Sequence, residues 1–381
     1  MKRSSNLYLG VTFAVLAFSV AVWQGVSSRT TAASETGDTA PSYKVDPFWP
    51  KPLPHNWILG QVAGVAVDSR DHIWIIQRPG SLTIDEAGAA QDPPVSECCV
   101  PAPPVIELDA GGNVISSWGG PGEGFEWPNS EHGIFVDYKD NVWIAGNGEN
   151  DHQVLKFTRD GKFLLQIGEA GKTSGSNHTA HLGLPADTEV DPETNEVYVA
   201  DGYLNKRVIV FDADSGDYKR HWGAYGNKPD DADPGPYDPD APAAKQFRSP
   251  VHGLTISKDG HVYVADRLNN RIQVFQKDGT FVEEVIIAKR TLGNGSAWDV
   301  ELSKDDGQSY LYDADGTNQK IWMLMRQNLQ TIGAIGRRGQ AAGEFHWVHN
   351  VAVDSEGSVY TAEVDMGKRA QRFVRQESSS E

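Results

Sequence analysis

Cysteine is nearly absent from this chain: two residues in 381, Cys98 and Cys99, which are neighbours. Adjacent cysteines rarely bridge each other comfortably, so no disulfide framework is expected, even in an oxidising compartment. Apolar stripes at helical spacing are scarce, which speaks against a helical fold. Positive charge is in the minority, with 34 Lys and Arg against 52 Asp and Glu and a net charge of −18. A phosphate backbone would be repelled by that balance, which excludes nucleic acid as a partner. The charge itself reads as a solvated acidic surface.

Long apolar runs are missing apart from Leu7–Trp23, which follows Lys2 and Arg3 and precedes the small residues Ala32 and Ala33. That pattern is an export signal, or an N-terminal anchor, since the run is long for the first and short for the second. Residues 1–33 are assigned to it and 34–42 to a Ser/Thr/Ala-rich linker. The chain is therefore expected to be exported, periplasmic or extracellular, touching a membrane only through a retained N-terminus.

What is abundant is glycine, 39 residues, with 11 Trp, 12 Tyr and 13 Phe. These sit in a repeat: an apolar strand ending in Asp or Ser, a polar turn, then an aromatic-containing strand. It reads GVAVDSRDHIWII from Gly64, GIFVDYKDNVWIA from Gly133, DTEVDPETNEVYVAD from Asp187 and GLTISKDGHVYVAD from Gly253. Two further copies start at Asp299 and Asn350. Third and fourth strands follow most copies, so each repeat predicts a four-stranded antiparallel sheet. Six such sheets bury their faces only by stacking into a closed ring, an all-β, six-bladed β-propeller over residues 43–376, with 377–381 a disordered tail. The last copy lacks a fourth strand, and Tyr43–Trp49 is the segment available to supply it. Insertions at Pro79–Pro104 and Pro229–Ala244 read as loops over one face of the ring.

The repeat also aligns chemistry. Counting from the residue that ends each first strand (Asp68, Asp137, Asp191, Ser257, Ser303, Asp354), the position five residues earlier holds Ala63, His132, Ala186, His252, Trp298 and His349. Histidine thus recurs in alternate blades, on the strand that lines a propeller's channel. His132, His252 and His349 should converge on the axis as a three-imidazole zinc site with an open fourth position. A single such histidine would read as a hydrogen-bonded core residue; the recurrence is what points to a metal. Past the second strand stand Arg78, Tyr203 and Arg267, on the face where the first strand enters. Two guanidinium groups beside a phenol make Tyr203 a candidate base, and either arginine can clamp a carboxylate.

Together these motifs resemble peptidyl-α-hydroxyglycine α-amidating lyases, NHL-repeat propellers that release glyoxylate to leave a peptide amide. The resemblance runs from Gly60 to the end through GQVAGVAVD, EHGIFVD, DHQVLKF, VYVADGYLNKR, SPVHGL, VYVADRLNNRIQVF and WVHNV. It implies zinc on His132, His252 and His349, with Tyr203, Arg267 and Arg78 catalytic. It also implies a structural calcium on the carbonyls of Val65 and Ile134 and the side chain at position 350. Asn350 stands where the family has Asp, which weakens a calcium site. Trp347 replaces a family methionine, the family's blade disulfides are missing, and no monooxygenase domain accompanies the propeller.

The expected function is a zinc-dependent carbon–nitrogen lyase acting on a small peptidyl-α-hydroxyglycine-like substrate. The alternative is a non-catalytic NHL-type propeller that binds a peptide or envelope protein. A lactonase-like hydrolase ranks last, because its metal centre would use carboxylates and amides rather than histidines.

Overall fold

The structure, a computed structural model, describes residues 40–377. The export signal or anchor assigned to 1–33 lies outside the described residues, as do 34–39 and 378–381.

Six four-stranded antiparallel sheets make up the described chain, with almost no helix. Their innermost strands are Gln61–Val67, Glu131–Val136, Pro185–Asp191, Val251–Ile256, Asp299–Leu302 and Val348–Val353. Each inner strand touches that of the next blade, round to Val348–Val353 against Gln61–Val67. The strand missing from the sixth sequence copy is Ser42–Val45, which pairs antiparallel with Arg369–Gln376 in the register Ser42 to Gln376. The two ends of the propeller are thereby sewn into one sheet.

The acidic or hydroxyl residue ending each first strand has a common task. Asp68 Oδ1 accepts the backbone N–H groups of Arg70 and His72, while Oδ2 accepts the indole N–H of Trp74 at 3.1 Å. Asp137 does the same for Lys139, Asn141 and Trp143. Ser257 and Ser303 accept N–H groups of the next strand at 3.0 Å. A short polar side chain here satisfies turn donors that would otherwise be orphaned, which is why the repeat tolerates Asp or Ser and little else.

The apolar core is divided among the gaps between blades. Trp74 and Ile76 of the first blade pack with Ile134 and Phe157 of the second, and comparable clusters fill each of the following gaps. The last gap joins Tyr360 and Ala362 to Val62 and Ile75, so the ring has no unpacked seam. Buried ion pairs repeat as well, from the carboxylate ending a second strand to an arginine opening the third: Asp201 with Arg207 at 2.8 Å, Asp266 with Arg271 at 2.7 Å and Glu363 with Arg369 at 2.7 Å.

The insertions are built loops. Within 79–104, Val100–Pro101 pairs with Trp57–Ile58, and Lys368 of the sixth blade holds Glu86 at 2.7 Å. Cys98 and Cys99 are joined to each other, contrary to the expectation that neighbours would not bridge. They tie no two strands together, so the absence of a disulfide framework stands.

Asp266 accepts from Arg248 N, Asn269 Nδ2 and Arg271 Nε with no solvent exposure. Replacing it by Ala strands a buried guanidinium, and urea unfolding should show a loss of about 3–5 kcal/mol. A loss below about 1 kcal/mol would mean that this ion pair is dispensable.

Candidate metal centre

His132, His252 and His349 are buried and meet on the channel axis, with ring centroids 4.6 to 4.8 Å apart in all three pairs. One ligand-capable nitrogen from each falls within 4.8 Å of the others. Their orientation has one cause, repeated three times. His132 Nδ1 lies 2.7 Å from Ala186 O, His252 Nδ1 2.6 Å from Trp298 O, and His349 Nδ1 2.6 Å from Ala63 O. Ala186, Trp298 and Ala63 occupy the same repeat position in the three blades that lack the histidine. Each intervening blade therefore contributes a carbonyl that takes the Nδ1 proton. A carbonyl only accepts, so Nδ1 carries the hydrogen and Nε2 keeps its lone pair for the axis. Outer hydrogen bonds of this kind orient metal-bound histidines.

The protonation state agrees. Burial, then the neighbouring His349 and the Arg78 guanidinium, hold His132 well below the usual imidazole range. Burial and the other two histidines do the same at His252. Burial with Arg78 and Arg267 pushes His349 down to about 3. Three imidazoles that stay neutral are the donor set a divalent ion requires. The residues fit a metal.

Tyr203 caps this triad. Its hydroxyl lies 2.9 Å from His132 Nε2 and 3.1 Å from His252 Nε2. Gly202 makes that approach feasible, because a Cβ there would stand 2.0 Å from Val251 O, next to His252. Backbone bonds from Tyr203 and Leu204 to Leu184 and Gly183 fix the loop. Arg267 stacks on the Trp298 ring, 3.5 Å from its centroid, and donates through Nε to Asn294 O at 2.8 Å. Burial holds its pKa below the usual guanidinium value, and the adjacent Tyr203 offsets part of that. The carboxylate beside it, Asp266, is taken by Arg271, and among the described residues Arg267 has no carboxylate partner. Arg78 is spread over Glu131 O at 2.7 Å, Gln61 Oε1 at 2.9 Å and Asn147 Oδ1 at 3.2 Å. Trp347 packs tilted against Trp298, the indole on which Arg267 lies, at 5.3 Å between centroids.

The calcium position implied by resemblance fares differently. Val65, Ile134 and Asn350 do line one channel cavity. Asn350 Oδ1, however, accepts Val65 N–H at 2.7 Å, and its amide donates to Asp299 Oδ2 at 2.6 Å. The amide oxygen is committed to the backbone, so this trio by itself fits calcium poorly. Anionic oxygens come instead from Asp187 and Asp299, one residue after the histidine offset in blades three and five. Gly64, Gly133 and Gly253 hold that offset in blades one, two and four. A Cβ at Gly253 would lie 2.3 Å from Asp299 Oδ1, so glycine is what admits the carboxylate. The same alignment that located the histidines contained this ring, one column along. The further cluster Asp68, His72 and Glu107 is filled by Arg159, which bonds Asp68 at 2.6 Å, and is an ion-pair network.

A sequence profile of the NHL repeat matches residues 251–275. The chain is 28% identical over 322 residues to peptidyl-glycine alpha-amidating monooxygenase B of Xenopus laevis, covering 81% of this chain and 33% of that protein. It is 25% identical to a probable peptidyl-alpha-hydroxyglycine alpha-amidating lyase of Caenorhabditis elegans, covering 81% of each. The chain is a six-bladed propeller that carries one NHL-repeat match, and amidating lyases are among the proteins it is similar to. NHL repeat-containing protein 3 of Homo sapiens is 26% identical, covering 87% of this chain and 84% of that one. The chain spans about a third of the Xenopus protein's length. A solved streptogramin B lyase structure superposes with a TM-score of 0.53 at 12% identity, over 88% of this chain and 98% of that one, which supports the propeller fold alone.

Two measurements bear on the channel. Elemental analysis of purified protein should give about one bound transition-metal ion per chain, lost in His252→Ala. Retention of the full metal content by that variant would place the ion elsewhere. The second concerns pH. Burial raises Asp187 to about 7 and lifts Glu189, Asp299 and Asp313 well above the carboxylate range. Protons held in the folded state but not in the unfolded one stabilise at low pH, and that stability is lost as pH rises through the folded value. The three neutral histidines act in the opposite sense only below an unfolded pKa of about 6.5. Between about pH 6.5 and 8, through the folded value of about 7 for Asp187, the carboxylates therefore prevail, and the melting temperature of EDTA-treated protein should fall. A flat or rising profile there would show that the acidic ring is not protonated.

Proposed function

We propose that this protein is a zinc-dependent lyase that splits a peptidyl-α-hydroxyglycine-like carbinolamide into an amide and glyoxylate. The observation that carries the reading is Tyr203 set over three carbonyl-oriented histidines, with Arg267 and Arg78 beside it. The amidating lyases among the relatives support it. A zinc ion on His132, His252 and His349 would supply Lewis acidity toward a substrate oxygen.

The protein's own groups do the rest. Tyr203 acts as the base that takes the proton of the carbinol hydroxyl. The freed electron pair forms the carbonyl of glyoxylate as the C–N bond breaks, and the nitrogen leaves with its pair and accepts a proton to become the amide. Atoms and electrons balance without an oxidant. Arg267, rigid on Trp298 and without a carboxylate of its own, binds the substrate carboxylate. Arg78 steadies developing negative charge. We assign the work to an exported protein acting on small peptides, with the membrane involved only through a retained N-terminus.

The test is glyoxylate release from an α-hydroxyglycine peptide by zinc-loaded protein. Tyr203→Phe should lower kcat by ~10²–10⁴ while leaving the metal content unchanged. Full turnover in that variant removes tyrosine as the base. Zinc-loaded protein that releases no glyoxylate removes the activity. A metal-free, fully folded protein would instead favour a binding propeller, a reading kept in view by the similarity to NHL repeat-containing protein 3.

A further inference from the structure

The Pro- and Asp-rich insertion at 229–244 does not merely decorate the ring. With the loops that carry Tyr203 and Arg267, it walls a cavity of about 710 Å³. Leu204 and Leu268, the residues immediately after Tyr203 and Arg267, line it, and Pro234, Pro236, Tyr237 and Leu292 complete its apolar wall. The cavity therefore begins one residue from the two groups that handle the substrate.

Its polar lining is occupied. Lys206 Nζ donates to Asp231 O at 3.1 Å and Ala232 O at 2.6 Å. Arg248 donates to Asn269 Oδ1 at 2.9 Å and to Gly235 O. The Asp231 carboxylate accepts from Ser176, Asp233 accepts from Gly235 N, and the Tyr237 hydroxyl donates to Lys289 O at 2.9 Å. These bonds hold the insertion in place. The apolar surface left for a ligand is chiefly Leu204, 50% exposed, and Leu292, 60% exposed. Such side chains turned to water beside a reactive centre mark a surface that a ligand covers. The net charge of −18 further disfavours an acidic occupant.

We propose that this cavity is the subsite for a large apolar side chain on the residue preceding the cleaved hydroxyglycine. The proposal rests on the lyase reading above and names its substrate class. With the hydroxyglycine carboxylate on Arg267 and its hydroxyl under Tyr203, the acyl half of the substrate leaves the centre across Leu204 and Leu268 and enters the cavity. Each methylene buried there is worth roughly a fourfold factor in binding.

The experiment compares acetyl-Phe-α-hydroxyglycine, acetyl-Asp-α-hydroxyglycine and acetyl-Gly-α-hydroxyglycine as substrates of zinc-loaded wild type and a Leu292→Asp variant. Wild type should favour Phe over Asp by at least about tenfold in kcat/KM. The variant should lose that preference while turning over the Gly substrate as wild type does. Cleavage of all three with equal kcat/KM by wild type overturns the subsite and leaves the lyase standing. Should none be cleaved, the lyase reading falls, and calorimetry with unreactive acetyl-Phe-glycine decides the subsite. Binding about tenfold weaker in the variant supports it. Equal binding, or none to wild type, overturns it.

Discussion

Everything at this protein's centre depends on a hydrogen bond that crosses from one blade to the next. An imidazole on the inner strand of an even blade gives its Nδ1 proton to the carbonyl of the odd blade beside it, three times around the ring. Each bond settles the tautomer, the ring plane and the direction of the second nitrogen. It also makes the triad a property of the closed ring, because no blade holds both the histidine and the carbonyl that aims it. The apolar packing between blades keeps neighbouring strands at the spacing these bonds need.

The same logic explains why the centre stands on strands and its chemistry on loops. The imidazoles lie where six inner strands converge and little can move. Tyr203 and Arg267 lie one turn further out, held by local devices. For Tyr203 these are a glycine that admits close approach and backbone bonds to Gly183 and Leu184. For Arg267 it is an indole to lie on, with the nearby carboxylate already taken by Arg271. A buried guanidinium without a carboxylate is costly in isolation, and such cost is tolerated where an anionic ligand is to be received. Arg78 differs, since three oxygens already share its donors, which suits a group that positions charge rather than one that captures it.

Much of this was legible before any coordinates. The repeat dictated blades, and the alternate-blade histidines dictated a convergence on the axis, because a residue at fixed offset in a radial repeat has one place to go. The supply of the missing strand by residues near Tyr43 followed from counting. Other features were hidden by the way the repeat was read. Asp187 and Asp299 sit one column from the histidines, where Gly64 breaks the alternate-blade recurrence that marks the histidines. The carbonyls of Ala63, Ala186 and Trp298 could not be seen at all, because backbone acceptors leave no mark in side-chain identity. Trp298 was noted as a non-histidine and proved to be both an acceptor and the platform for Arg267. The Cys98–Cys99 link ran against a sound rule about neighbours, because the local path of an insertion is set by contacts no repeat encodes.

Sewing Ser42–Val45 to Arg369–Gln376 has a kinetic corollary. The pairing joins segments more than three hundred positions apart, so a large loop-closure entropy must be met before the final sheet exists. His349 belongs to that sheet, and the carbonyl that aims it belongs to the first blade. A chain still lacking its sixth blade therefore has two of the three histidines and an incomplete triad. A metal ion held by the triad would tie that sixth blade to the second and fourth across the channel.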